Sequence, residues 1–153
     1  MQERYKNFTV LIAKITRCVR RIKTEEMVEF DLKSPHVSCI YYLYKEKSLT
    51  VKELTDICEE DKASLSRSID YLIQNGFLVR EAKTPSHYRS HLRLTEKGRL
   101  VGKTIADKVD NILMEAGNGL SEDNRRIFYE SLALISDNLQ RICDDYEANT
   151  HTV

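Results

Sequence analysis

The spacing of apolar residues constrains this chain more than any other feature, because most of it follows a helical period. Apolar side chains that recur at steps of three and four residues lie on one face of a helix. Two long stripes of this kind are Phe8, Ile12, Ile15, Val19 and Ile22 near the start, and Phe128, Leu132, Ile135, Leu139, Ile142 and Tyr146 near the end. They predict a first helix over about residues 5–26 and a long last helix that begins after Ser121.

Between these stripes, residues that cap helices predict four further helix starts. The capping residues are Ser34 followed by Pro35 at the first helical position, Thr50 in a capping box with Glu53, Asp61, and Thr95. The inward residues that we expect are Val37, Ile40, Tyr41 and Tyr44 on the second helix, Leu54, Ile57 and Cys58 on the third, Leu65, Ile69, Leu72 and Ile73 on the fourth, and Val101, Ile105, Val109 and Ile112 on the fifth. Gly76 closes the fourth helix.

The spacing of apolar residues changes from a helical to an alternating pattern once, after Gly76. The stretches "FLVREAK" and "SHLRLT" are short and partly alternating, and "TPSHYR" separates them, which predicts an antiparallel hairpin. Short helices, a glycine-closed helix and a two-stranded ribbon are the parts of a winged helix-turn-helix. The predicted fold is therefore mainly α with a small β-hairpin wing, in one domain over 1–153. The winged helix unit spans 34–98, and terminal helices at 5–30 and 100–147 flank it.

Length and composition narrow the function classes. A chain of 153 residues with 41% hydrophobic residues can bury the core of a single domain. It has no run of 18 apolar residues and no apolar signal core at its start, so we expect a cytoplasmic protein without a membrane span. It lacks a glycine-rich phosphate loop, a nucleophile elbow and a pair of cysteines at CxxC spacing. We therefore expect no enzyme activity, no metal and no cofactor.

Charge is distributed unevenly along a chain whose net charge is zero. Residues 61–103 carry 9 basic and 4 acidic side chains, whereas residues 104–153 carry 4 basic and 10 acidic ones. The basic excess coincides with the predicted fourth helix and the hairpin. A local excess of Lys and Arg is what a phosphate-binding face requires, whatever the total charge.

The fourth helix and the hairpin supply the candidate DNA contacts. With Leu65, Ile69 and Leu72 inward, the exposed face combines small hydroxyls with one Arg, which suits a helix in the major groove. Arg80 on the ribbon is expected to meet phosphates, whereas Asp70 and Tyr71 lie beyond the groove. The DNA-binding candidates are Lys62, Ala63, Ser64, Ser66, Arg67 and Ser68 on the helix, and His87, Arg89 and Arg93 on the wing.

The terminal stripes admit two interpretations. In a monomer the two helices could bury each other. In a homodimer they could instead hold two recognition helices about 34 to 36 Å apart, which is the spacing of successive major grooves. We favour the homodimer because winged helices that bind DNA usually need this spacing.

The segment from Leu49 to Gly98 contains the elements "LTVKEL", "DKASLSR", "L..NGF..R" and "LRLTEKG". In these elements it resembles the MarR family of bacterial winged helix transcriptional regulators. The resemblance implies a homodimer, joined by its terminal helices, that binds double-stranded DNA at a palindromic operator, usually as a repressor. The wing departs from the family pattern, since Thr84 and Ser86 stand where an acidic residue and an Arg are common. His87 and Arg89 are the candidates to replace that pair.

The resemblance also implies release of DNA by a small phenolic or lipophilic effector, or by cysteine oxidation. A ligand cleft between the first, second and fifth helices would be lined by Arg17, Tyr41, Tyr44 and Ile105. The alternative for each of these residues is a place in the core.

Cys18 is the redox candidate, because neighbouring cations favour the reactive thiolate. Its place beside the first stripe favours a buried structural thiol instead, and Cys39, Cys58 and Cys143 are also expected in the core. A winged helix that binds a protein partner and no DNA remains the alternative function, with the neutral total charge as its support.

Overall fold

The computed structural model describes residues 2–58, 60–81 and 89–150. Within these ranges it contains six α-helices, one short 3-10 helix and three strands. In chain order they are α1 (Gln2–Glu26), the 3-10 helix (Val28–Phe30), α2 (Ser34–Glu46), β1 (Leu49–Thr50), α3 (Val51–Ile57), α4 (Lys62–Gln74), β2 (Leu78–Arg80), β3 (His91–Leu94), α5 (Glu96–Ala116) and α6 (Glu122–Thr150). The mainly α fold with a small β-wing is confirmed.

By its internal contacts the chain divides into two compact units, Met1–Asp110 and Asn111–Val153. The first unit contains α1 to α4, the sheet and most of α5. The second contains the last turns of α5 and the whole of α6. The buried apolar residues of the described chain lie in the first unit, between Met27 and Ala106.

Three predicted helix starts have the capping contacts that the sequence indicated. At α3, Glu53 N–H donates to Thr50 Oγ1 at 3.1 Å and Thr50 N–H donates to Glu53 Oε2 at 2.7 Å. Thr50 Oγ1 also donates to Glu53 Oε2 at 2.9 Å, and the two hydrogen bonds that Thr50 donates to this carboxylate lower the pKa of Glu53. At α4, Ser64 N–H donates to Asp61 Oδ1 at 2.8 Å. At α5, Gly98 N–H donates to Thr95 Oγ1 at 3.0 Å.

The start of α2 differs from the prediction by one residue. Lys33 occupies the capping position, Ser34 is the first helical residue and Pro35 the second. Ser34 is buried, and its N–H donates to Thr24 Oγ1 at 3.2 Å. A side chain of the first turn satisfies the backbone N–H of the capping residue. Lys33 N–H donates to His36 Nδ1 at 3.1 Å.

The sheet has a strand that the sequence did not indicate. The strand order is β1-β3-β2, and both pairs are antiparallel. Of the two residues of β1, Thr50 was expected only as a helix cap, because so short a segment has no visible period. Val79 pairs with Arg93, and Arg80 pairs with Leu92. Since directly paired residues point to the same face of a sheet and neighbours point to opposite faces, Arg93 and Arg80 lie on opposite faces.

Most of the predicted inward residues belong to the core, with two kinds of exception. Ile57, the last residue of α3, is 41% exposed, because this short helix buries only Leu54. Tyr41, Tyr44, Ile73, Val109 and Ile112 are half-buried. The core also includes Met27, Leu32 and Leu43, of which Met27 and Leu32 lie between helices and outside any periodic stripe.

The apolar stripes of both terminal helices are exposed in the single chain. On α1, Phe8, Ile12, Ile15, Val19 and Ile22 are each at least 36% exposed, and on α6 the same holds for Phe128, Leu132, Ile135, Leu139, Ile142 and Tyr146. None of the helices in the described part of the chain combines the length and the hydropathy that crossing a bilayer requires.

The four cysteines are divided between the buried core and the exposed terminal helices. Cys39 and Cys58 are buried, as expected. Cys18 and Cys143 are exposed, so the expectation that they are core thiols is wrong for the single chain. Both residues lie on terminal helices, whose apolar stripes are exposed to solvent in a single copy of the chain.

Candidate nucleic-acid interface

Helix α4 presents one buried and one exposed face. Leu65, Ile69 and Leu72 are at most 2% exposed and attach the helix to the core. On the other side, Lys62, Ala63, Ser66 and Arg67 are exposed and Ser64 is half-buried. The first two turns therefore present two cations and small hydroxyl side chains to solvent, a composition that suits contact with phosphates and base edges.

A groove of about 200 Å³ runs between α3, α4 and β2. Thr55, Lys62, Ser66 and Arg80 contribute its polar groups, and its apolar wall includes Leu65 and Ile69. The guanidinium of Arg80 is held by a hydrogen bond from Nη1 to Ser90 Oγ at 2.8 Å. Two cations and two hydroxyls thus surround one concave surface beside the exposed face of α4, and we call this surface the α4 groove.

Ser68 does not belong to that surface. It is 4% exposed, and its hydroxyl donates to the backbone oxygen of Ser64 at 2.9 Å. Ser68 lies three residues after Leu65 and four before Leu72, which places it on the buried row of α4. Its prediction as a DNA contact is corrected for this reason.

The three wing residues that were predicted to contact DNA have different positions in the structure. His87 lies outside the described residues, and Arg89 is exposed. Arg93 is exposed too, but it lies on the opposite face of the sheet from Arg80 and forms an ion pair with Glu81 at 2.7 Å. The structure therefore does not bring Arg93 to the α4 groove.

Tyr71 has a structural role that the sequence alone left open. Its hydroxyl donates to the backbone oxygen of Asp31 at 2.8 Å and lies 3.1 Å from Asp31 Oδ2. Its ring stacks on the ring of His36, with the centroids 4.3 Å apart and the planes 5° from parallel. These contacts fasten the second half of α4 to the segment that precedes α2 and to the first turn of α2. Burial and the hydrogen bond to Asp31 raise the pKa of Tyr71.

We expect the stability of the protein to decrease in mild acid through His36. Burial of the ring and the nearby charge of Lys33 lower the pKa of His36 below 6.5, although Asp31 acts in the opposite direction. In the folded state Nδ1 accepts a hydrogen bond, which suits the neutral imidazole. Below about pH 6.5 the unfolded chain therefore binds the proton more readily, and the free energy of unfolding falls as the pH decreases.

Urea unfolding between pH 8 and pH 5 measures this effect. His36→Gln should flatten the pH dependence below about pH 6.5, whereas His91→Gln, which retains His36, should keep the wild-type slope. An unchanged slope in His36→Gln would show that another group controls the acid response.

The four residues proposed for an effector cleft lie in different environments. Arg17 is exposed on α1, and Ile105 is 1% exposed within the core. Tyr41 is half-buried, with the Lys45 ammonium 5.6 Å from its ring centroid. Tyr44 is half-buried beside Gly102 of α5, so close that an added Cβ on Gly102 would meet the tyrosine ring. Ile105 therefore acts as a core residue in this structure.

The described residues contain no group of three or more His, Cys, Asp or Glu side chains that could hold a metal ion. The polar surface of α4 is instead built from cations and hydroxyls.

A helix-turn-helix followed by a β-ribbon, with a basic groove along its second helix, defines a winged helix protein, a class whose members characteristically bind nucleic acid. Residues 30–90 match the family model described as MarR family. Over this segment the chain is similar to the MarR family, which confirms the resemblance seen in the sequence.

Solved structures extend the agreement in fold to most of the chain. A MarR protein from Peptoclostridium difficile has a TM-score of 0.80 and 17% identity, with 88% of each chain covered. A MarR family regulator from Listeria monocytogenes in complex with a 26mer DNA has a TM-score of 0.77 and 22% identity, with 84% of this chain and 85% of that chain covered. The MepR–DNA complex of S. aureus has a TM-score of 0.75 and 16% identity, with coverages of 86% and 97%. The chain therefore has the fold of MarR family transcriptional regulators. Comparison with curated protein sequences finds no significant match.

Proposed function

We propose that this protein is a sequence-specific transcriptional regulator that binds a palindromic DNA operator as a homodimer. The observation that carries the proposal is the α4 groove, where Lys62, Ser66 and Arg80 converge beside the exposed Arg67. In this role the first turns of α4 enter the major groove, Arg67 contacts a base edge, and Lys62 and Arg80 neutralise phosphates. Two related folds, from L. monocytogenes and S. aureus, are described in complexes with DNA.

The exposed stripes of α1 and α6 support the homodimer. Contiguous apolar surface on a helix is unfavourable in water and marks a contact with another chain. A two-fold axis would bury each stripe in an identical interface and would present two α4 helices to a palindromic site. The operator would then have half-sites about one helical turn apart.

We further infer that the regulator acts in the cytoplasm, without an enzyme activity, and that it represses transcription until an effector releases it. This part of the proposal rests on the resemblance to MarR regulators. Ile105 has no part in a cleft wall, so Arg17, Tyr41 and Tyr44 are the remaining candidates for contact with a phenolic or lipophilic effector.

A salt titration tests DNA binding. The apparent affinity for a duplex that carries the operator, selected in vitro from random sequence, should fall steeply with salt, because each neutralised phosphate releases counterions. Lys62→Gln should reduce the slope of log affinity against log salt by about 1 per protomer. Lys103→Gln, which removes an exposed cation from α5, should leave the slope unchanged.

A flat salt dependence in the wild-type protein, or no binding at low salt, would contradict the regulator role. It would favour a winged helix module that binds a protein partner.

The dimer gives a second expected result. The monomer has a mass of 17.8 kDa, and sedimentation equilibrium should measure twice that value for the wild type. Ile135→Asp combined with Leu139→Asp places two charges on the exposed stripe of α6 and should yield a monomer, because burying an unpaired carboxylate is costly. Leu134→Asp introduces the same type of change outside the stripe, at a residue that is 62% exposed, and should leave the dimer intact. A double variant that remains a dimer would exclude this face as the interface.

A further inference from the structure

A second cavity lies within the first unit and outside the α4 groove. It has a volume of about 460 Å³ and is formed by the end of α2, by β3 and by the start of α5. Its volume falls in the range of about 300 to 1,000 Å³ that is typical of small-molecule sites. The residues that shape it are Tyr44, Lys45, Lys47, Arg93, Leu94 and Arg99.

The lining of this cavity is strongly cationic. Four of its residues are Lys or Arg, and none is acidic. Glu81, which pairs with Arg93 at 2.7 Å, offsets one of these charges. About three positive charges therefore remain around one concave surface, where they repel one another and would be stabilised by an anion.

Helix stability explains only part of this charge. Lys45 and Lys47 lie at the carboxyl end of α2, where cations interact favourably with the helix dipole. Arg99 lies in the first turns of α5, where the same dipole disfavours a cation. Arg93 lies on a strand. The helix dipoles therefore do not account for these two arginines.

Both arginines are held in place before any ligand arrives. Arg99 Nη1 donates to the backbone oxygen of Leu94 at 3.2 Å, and Arg93 Nη1 is fixed by Glu81. Leu94 is 5% exposed, and Tyr44 is half-buried against α5, so the cavity also has an apolar wall. Fixed guanidinium groups lose little side-chain freedom when they bind an anion. The apolar wall favours an organic anion over a simple inorganic ion, because it can contact a carbon skeleton.

We propose that this cavity binds a small organic molecule with at least two negative charges, such as a dicarboxylate or a phosphate ester. Charge balance sets the number of negative groups, and the wall formed by Tyr44 and Leu94 accommodates the carbon skeleton. The site is distinct from the α4 groove, since the two cavities have no lining residue in common. The proposal does not depend on DNA binding.

Isothermal titration calorimetry at constant ionic strength tests the proposal with succinate and butyrate. These probes have the same number of carbons and differ by one carboxylate. The wild-type protein should bind succinate saturably and at least tenfold more tightly than butyrate. Arg99→Gln and Lys45→Gln should each weaken succinate binding at least tenfold. Lys14→Gln, which removes an exposed cation from α1, should leave it unchanged.

Three outcomes would overturn the proposal. One is the absence of saturable succinate binding to the wild type. Another is equal loss of binding in Lys14→Gln, which would indicate a general effect of charge. The third is a loss of duplex DNA affinity in Arg99→Gln as large as that in Lys62→Gln, which would assign the cavity to the DNA surface. Circular dichroism spectra and thermal midpoints of the two cavity variants should match those of the wild type, and Lys45→Gln keeps the test valid if Arg99→Gln fails to fold.

Discussion

Gly98→Ala is expected to lower the free energy of unfolding by about 3 kcal/mol, because there is no room for a side chain at this position. A Cβ on Gly98 would collide with the backbone oxygen of Phe77 and would lie 3.1 Å from Leu94 Cδ2. The Phe77 oxygen cannot move away freely, since it accepts a hydrogen bond from Thr95 N–H at 3.0 Å. The substitution should therefore disturb the junction between the end of α4, the sheet and the start of α5.

Equilibrium urea unfolding measures the effect, and Gly76→Ala is the matched control. Gly76 has φ of 75° and no atom within 4 Å of an added Cβ, so alanine there incurs backbone strain alone, about 1 kcal/mol. If the two variants lost the same stability, the close approach at Gly98 would not be the cause.

Arg67→Ala is expected to reduce operator affinity about tenfold per half-site, and therefore about a hundredfold for a dimer that uses both. Arg67 is exposed on the second turn of α4, and no described contact with the core depends on it. The folded protein should therefore keep its thermal midpoint while specific binding is lost. Fluorescence anisotropy with an in vitro selected duplex, compared with a scrambled duplex of the same length, measures the loss.

Arg67→Lys separates a base contact from a phosphate contact. Lysine keeps the charge but lacks the planar fork that makes two hydrogen bonds to guanine. If Arg67 reads a base, Arg67→Lys should remain close to Arg67→Ala on the selected site. Restoration of wild-type affinity by lysine would show that Arg67 contacts the backbone instead, and an unaffected Arg67→Ala would remove it from the interface.

Much of the fold could be predicted from local patterns. The capping residues Thr50, Asp61 and Thr95 mark helix starts because each satisfies a backbone N–H three residues ahead, which is a contact within one turn. Gly76 marks the end of α4 for an equally local reason, its positive φ. The strand β1 escaped prediction because it exists only through its pairing with β3, about forty residues away.

In the candidate site, too, the features that depend on local sequence could be predicted, and those that depend on distant contacts could not. A helical wheel correctly separates Leu65 and Ile69 from Lys62 and Arg67, since this depends on the period alone. It misassigned Ser68, because a hydroxyl is polar in the sequence yet can be buried when it donates to its own helix. It also could not decide the role of Tyr71, whose partner Asp31 is distant in the chain.

The sequence by itself determined the helical periods, the caps, the basic segment and the resemblance to MarR regulators, because each of these depends on residues that are close along the chain. Only the tertiary structure decided where the two wing arginines lie. Arg80 joins Lys62 and Ser66 at the α4 groove, whereas Arg93 joins Lys45, Lys47 and Arg99 at the second cavity. The two arginines look equivalent in the sequence, since both lie on the wing. The register of an antiparallel pair places them on opposite faces of the sheet, and register depends on contacts between strands that local sequence does not reveal.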